Sequence, residues 1–71
     1  MAAGMLWLDD DKSRTFEEKV RRAAEYYQGK YGRVPAFCVV NKKAVREPVV
    51  IDGIQVRGEE TTLPHHFLIG D

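Results

Sequence analysis

Between Thr15 and Gly32 the apolar residues Phe16, Val20, Ala23, Ala24, Tyr27 and Tyr31 recur mostly at intervals of three and four, which gathers them on one stripe of an α-helix. Both ends of the segment carry boundary signals. Thr15 followed by Glu18 is a capping-box pattern, and Glu17 and Glu18 put negative charge at the positive end of the helix dipole, so the helix starts at Phe16. Gly32 suits the left-handed residue that closes a helix, Lys30 lies in the last turn, and Pro35 stops the helix resuming. Gly29 offers an earlier stop. The opposite face, with Glu17, Glu18, Arg21, Arg22, Glu25 and Gln28, mixes both signs of charge as a solvated surface does, and pairs Glu17 with Arg21 and Glu18 with Arg22.

Outside this segment the apolar pattern shortens to the length of strands. Met5-Leu6-Trp7-Leu8 is a short apolar run ended by Asp9, Asp10, Asp11 and Lys12, and it reads as a strand leading into the helix. Ala36 to Val40 is continuously apolar, the pattern of a central strand buried on both faces. Strand, helix and strand in this order predict a βαβ unit with parallel strands and a right-handed crossover. Val49 to Ile51 and Ile54 to Arg57 flank Asp52-Gly53, which supplies the positive φ angles of a two-residue type I′ turn. The register of this hairpin follows: Ile51 faces Ile54 and Val49 faces Val56 on one side, while Val50 and Gln55 share the other. His66 to Ile69 is a last strand stopped by Gly70. Asn41 to Pro48 is compatible with one helical turn or a loop, and Glu59 to Pro64 reads as a loop. The predicted fold class is α+β, one main helix packed on a small mixed sheet of about five short strands in the order β-α-β-β-β-β. It forms a single small domain over residues 1–71, with Met1 to Gly4 as a loose N-terminus.

Composition narrows the functional classes. At 71 residues the chain buries only roughly 60% of its unfolded surface, so its stability is marginal and any further apolar surface matters. Eleven basic and eleven acidic residues cancel, which provides no long-range field for a polyanion or an anionic membrane. Nucleic acid is thereby a third reading, resting on Arg14, Arg33, Lys42, Lys43 and Arg46. The single Cys38 excludes an internal disulfide framework and points to a reducing, cytoplasmic setting. Met5 to Leu8 is too short for a signal-peptide core, and no apolar run reaches membrane-spanning length. No glycine-rich phosphate loop or Ser/His/Asp order is present, so no cofactor and no catalytic residue is assigned.

The predicted strand directions collect polar residues at one end of the sheet: Asp9 to Asp11, Asn41 to Lys43, Glu59 with Glu60, and His65 with His66. Carboxylates and imidazoles are suitable ligands for a divalent ion, which makes Asp9, Asp10, Asp11, His65 and His66 the candidate metal residues. Asp10-Asp11-Lys12 also contains the D-x-K triplet found in metal-dependent nucleases. The plainer reading is that charged turns show their loops to water and that acidic residues suit a helix start. Cys38, within an apolar strand, reads as a buried small hydrophobe rather than a nucleophile. Tyr27 and Tyr31 lie on the core stripe and Tyr26 at its flank, placed to cover the sheet edge or meet a partner, with the core as the better reading of these tyrosines.

Counting faces leads to the functional expectation. The strands supply apolar residues on both sides, yet one helix covers only one, so Trp7, Cys38, Val40, Val50 and Leu68 are expected at an interface. The leading expectation is a non-enzymatic interaction or regulatory module that self-associates through its sheet, as a homodimer or with another protein partner. The runner-up is a small metal-dependent hydrolase or phosphate-binding domain using the Asp9–Asp11 and His65–His66 end.

Overall fold

A computed structural model describes residues 4–71, which form β1 (Gly4–Leu8), α1 (Phe16–Tyr31), β2 (Phe37–Asn41), β3 (Val49–Ile51), β4 (Ile54–Glu59) and β5 (His66–Gly70). The fold is α+β, one helix on a five-stranded mixed sheet. Gly4 opens β1 instead of belonging to a loose terminus; the rest of that expectation, Met1 to Ala3, lies outside the described residues.

The helix begins and ends where its capping residues dictate. The Thr15 hydroxyl accepts the Glu18 backbone N–H at 3.1 Å, and the Glu18 carboxylate accepts the Thr15 N–H at 3.0 Å. The Thr15 backbone N–H, the larger influence, holds the Glu18 carboxyl below its usual value. Gly32, at φ 75°, donates its N–H to the Gln28 carbonyl and closes the last turn. Arg21 pairs with Asp52 at 2.8 Å rather than with Glu17, and so links the helix surface to the β3–β4 turn. Asp52 and Gly53 take positive φ angles of 51° and 79°, and the hairpin has the predicted register.

The sheet order is β1-β5-β2-β4-β3. β1 and β2 run parallel, because each is antiparallel to β5, but they are not neighbours. The last strand of the chain fills the place between them. Its Phe67 and Ile69 are among the most deeply buried side chains, which gives the C-terminal strand the apolar content a central position requires. β4 pairs parallel to β2, and β3 forms the far edge.

The strict alternation of side chains along each strand divides the sheet into two faces. Met5, Cys38, Val40, Ile51, Ile54, Val56, Phe67 and Ile69 form one core with Val20, Ala23 and Tyr27 of the helix. Burial of such an aliphatic side chain contributes about 1.5–3 kcal/mol. Trp7, Phe16, Ala24 and Val45 pack around this core, and Phe16 lies with its ring 6.0 Å from that of Phe67.

The 41–48 segment is a loop with a hydrogen-bonded turn, in which Ala44 N–H donates to the Asn41 carbonyl at 2.9 Å and Lys43 N–H to the Asn41 Oδ1 at 3.0 Å. This loop lies on Gly58. A Cβ at Gly58 would come within 2.4 Å of the Val45 carbonyl oxygen and 2.8 Å of the Lys42 Cα, both rigid backbone atoms. Gly58→Ala is therefore expected to destabilise the fold by about 1–3 kcal/mol, read as a lower urea midpoint with an unchanged slope. Thr15→Ala, which removes only a cap, is expected to cost about 1 kcal/mol in the same measurement.

Candidate functional site

At the polar end the chain brings some of the expected residues together and leaves others apart. Asp9 follows β1 directly, and its N–H donates to the His65 carbonyl at 2.9 Å, continuing the β1–β5 ladder by one residue. His65 holds a positive φ of 65°, uncommon for a residue with a side chain. Asp9, His65 and His66 line a hollow of about 130 Å³ together with Lys19, Asn41 and the apolar Phe16, Val40, Ala44 and Phe67. Asp10 and Asp11 do not join them. The Asp11 carboxylate accepts the Ser13 hydroxyl at 2.6 Å and N–H at 2.8 Å and pairs with Arg14 at 3.0 Å; the hydroxyl bond leads in holding its carboxyl below the usual value. His66 donates from Nδ1 to the Pro64 carbonyl at 2.9 Å, since a carbonyl only accepts.

Asp9 is the residue that sequence reasoning undervalued. It is 6% exposed, the buried charged residue of the described chain. Its Oδ1 accepts the Asp11 N–H at 3.1 Å and an Arg14 guanidinium N–H at 3.2 Å, whereas its buried Oδ2 has no hydrogen-bond partner. The pairing with Arg14 offsets the cost of a buried carboxylate and is the signal a sequence could have carried, as an Asp and an Arg flanking a single turn. Among the described residues no group of three or more His, Cys, Asp or Glu side chains is arranged to hold a metal ion.

The second surface is the face of the sheet turned away from the helix. By register it carries the rows Phe37, Gln55 and Val50; Leu6, Leu68, Val39 and Arg57; and Leu8 with His66. Two expected interface residues, Cys38 and Val40, are absent from it. They are fully buried on the helix side, because the apolar run of β2 puts Phe37 and Val39 on the other face. Trp7 also lies on the helix side, where its ring stacks on Tyr26 with centroids 4.7 Å apart. Leu68 and Val50 do lie on the uncovered face. Its centre is already shielded, with Val39 4% exposed between half-buried Phe37 and Leu68, and its apolar surplus is at the margins, with Leu6 63%, Leu8 58% and Val50 64% exposed. Phe37, Pro48, Val49, Val50, Gln55, Val56 and Arg57 frame a groove of about 350 Å³ beside β3.

Of the basic residues considered for nucleic acid, Lys42, Lys43 and Arg46 line one hollow with Asn41 and Glu60, apart from Arg14 and Arg33, which are held in ion pairs. Arg14 pairs with Asp9 and Asp11, Arg33 with Asp71, and Lys42 approaches Glu60 at 3.8 Å. Among the described residues no helix is long and apolar enough to cross a membrane. The chain matches no known protein family, no curated protein and no solved structure.

Burial pushes the Cys38 thiol from 9.0 up to about 12. It also raises the Tyr27 phenol, and the hydrogen bond to the Asp71 carboxylate adds to the effect. In both cases the folded chain holds its proton more tightly than the unfolded chain. As pH rises past about 9 the unfolded state loses these protons first, so stability falls with pH. Urea unfolding between pH 8 and pH 11 should show this decline, and Cys38→Ala, less stable throughout, should show a shallower one.

Proposed function

We propose that this chain is a non-enzymatic interaction module that associates with itself through its sheet. The observation that carries the reading is the exposure of Leu6 and Leu8 on β1, with Val50 at the other margin of the helix-free face. A chain of this size has little core to spare, and burying those side chains against a second copy would remove apolar area at about 25 cal/mol per Å². A twofold-related copy is the commonest partner for such a surface. Nothing at the polar end assembles a nucleophile, a base and a substrate cleft, so the sheet margin outweighs it. Cys38, buried and held protonated, is no candidate nucleophile.

A second reading has its own observation, the buried and unpartnered Oδ2 of Asp9 beside the His65–His66 hollow. It favours a small cation there over a phosphate, which a buried carboxylate would repel, and keeps the Asp9 carboxylate as its donor in the hollow that His65 also lines.

Sedimentation equilibrium at tens of micromolar is expected to give twice the monomer mass; a monomer up to millimolar concentration would overturn the first reading. Amide shifts under Mg²⁺, Mn²⁺ and Zn²⁺ test the second. Saturable changes confined to Asp9, His65 and His66 would support it, and unchanged spectra at millimolar metal would dispose of it.

A further inference from the structure

The two edges of the sheet are not equivalent. Backbone hydrogen bonds in an antiparallel pair alternate, so one bond sets the phase of the whole ladder. Asp9 N–H bonds the His65 carbonyl, hence Trp7 with Phe67 and Met5 with Ile69 are the bonded pairs of β1 and β5. Leu8, Leu6 and Gly4 then turn their N–H and C=O groups away from β5, the Gly4 carbonyl towards the Tyr31 hydroxyl. The other side of β5 agrees with this phase, because Gly70, the register partner of Gly4, gives its carbonyl to the Ala36 N–H at 2.7 Å. At β3 the same logic leaves only Val50 facing outward, since Ile51 and Val49 bond Ile54 and Val56 across the tight turn. β3 has three residues and is preceded by Pro48, which has no N–H. Shortness and proline are the usual protections of an edge strand, and β1, with five uncharged residues and no proline, has neither.

The geometry points to a second copy of this chain as the occupant of the β1 edge, its own β1 running antiparallel and centred on Leu6. This rests on the self-association reading above and specifies how it occurs. In that register Leu6 bonds its counterpart and Gly4 bonds Leu8 of the second copy, about six backbone hydrogen bonds in all. The Gly4 carbonyl, 3.4 Å from the Tyr31 hydroxyl, keeps a second lone pair for this. On the helix side Trp7 of each copy comes beside Met5 of the other, a thioether-to-indole contact.

Charge selects the direction. Parallel pairing would set the Asp9–Asp11 runs of the two copies side by side, whereas antiparallel pairing puts them at opposite ends of the seam, beyond a Debye length of about 8–10 Å. Arg22 and Glu25 flank Trp7 and Tyr26 at the same edge, and neither has an ion-pair partner among the described residues. One charge of each sign is self-complementary under a twofold axis. The pairing consumes the one unprotected edge among the described residues of each copy, so it closes at a dimer with a continuous ten-stranded sheet, about twice five, and does not propagate into a filament.

Leu6→Pro separates this arrangement from others. It removes an N–H that the β1–β5 ladder does not use, so the monomer fold should persist with unchanged circular dichroism, while the dimer should weaken by about a hundredfold or more in sedimentation equilibrium. Leu6→Thr, which keeps the backbone donor, should retain the dimer. In the wild-type protein the Leu6 and Leu8 amides should exchange slowly with deuterium, and faster on dilution. A dimer that survives Leu6→Pro but is lost in Val50→Lys with Leu68→Lys would overturn edge pairing and leave self-association through the open face standing. A wild-type monomer at all concentrations would overturn both.

Discussion

A single sixteen-residue helix lies on a sheet of five strands, and it can cover only one of the two faces. That constraint orders the molecule. Val20, Ala23 and Tyr27 project from the helix at intervals of three and four, and they meet side chains that project from every second residue of the strands. The match of these two periods places Cys38, Val40, Val56, Phe67 and Ile69 in one dry layer. It also fixes what is left outside: each strand that sends one residue to the helix sends the next to a surface with no second layer.

The position of β5 is the next consequence. The crossover through the helix sets β1 and β2 parallel with a gap between them, and the last strand enters that gap antiparallel to both. The C-terminal segment thus becomes the middle of the β1-β5-β2 half, and the first and last strands are tied together there, Gly4 opposite Gly70. At the polar end the same pairing carries Asp9 beside His65 and buries its carboxylate under Arg14. Arg33 and Asp71 form a corresponding pair near Tyr27 at the other end, so both ends of the sheet hold a charge that the core has partly enclosed.

The uncovered face does not present a broad apolar plate. Val39 is shielded by its own neighbours, and the polar heads of Gln55, Arg57 and His66 interrupt the apolar rows, leaving the exposed leucines on the outermost strand. A face of this kind has modest stacking capacity. An edge is different, because backbone groups there are directional and their satisfaction by a partner does not require a large apolar area.

Much of this was legible without coordinates wherever the information was local. The helix limits followed from Thr15, Glu18 and Gly32, and the hairpin register from Asp52-Gly53, because a cap or a two-residue turn is decided by atoms a few bonds apart. The alternation of apolar residues determined that there would be an inside and an outside. It could not determine which was which for β2, whose apolar run reads the same from either side, so that Cys38 and Val40, expected at the open face, lie under the helix. Nor could sequence place β5 between β1 and β2, free Asp9 from its neighbours Asp10 and Asp11, or show that β1 is the unprotected edge. Those depend on pairings between residues some sixty apart, such as Leu8 with His66. Such contacts are selected by the joint packing of all strands under one helix, a global minimum that no single segment encodes.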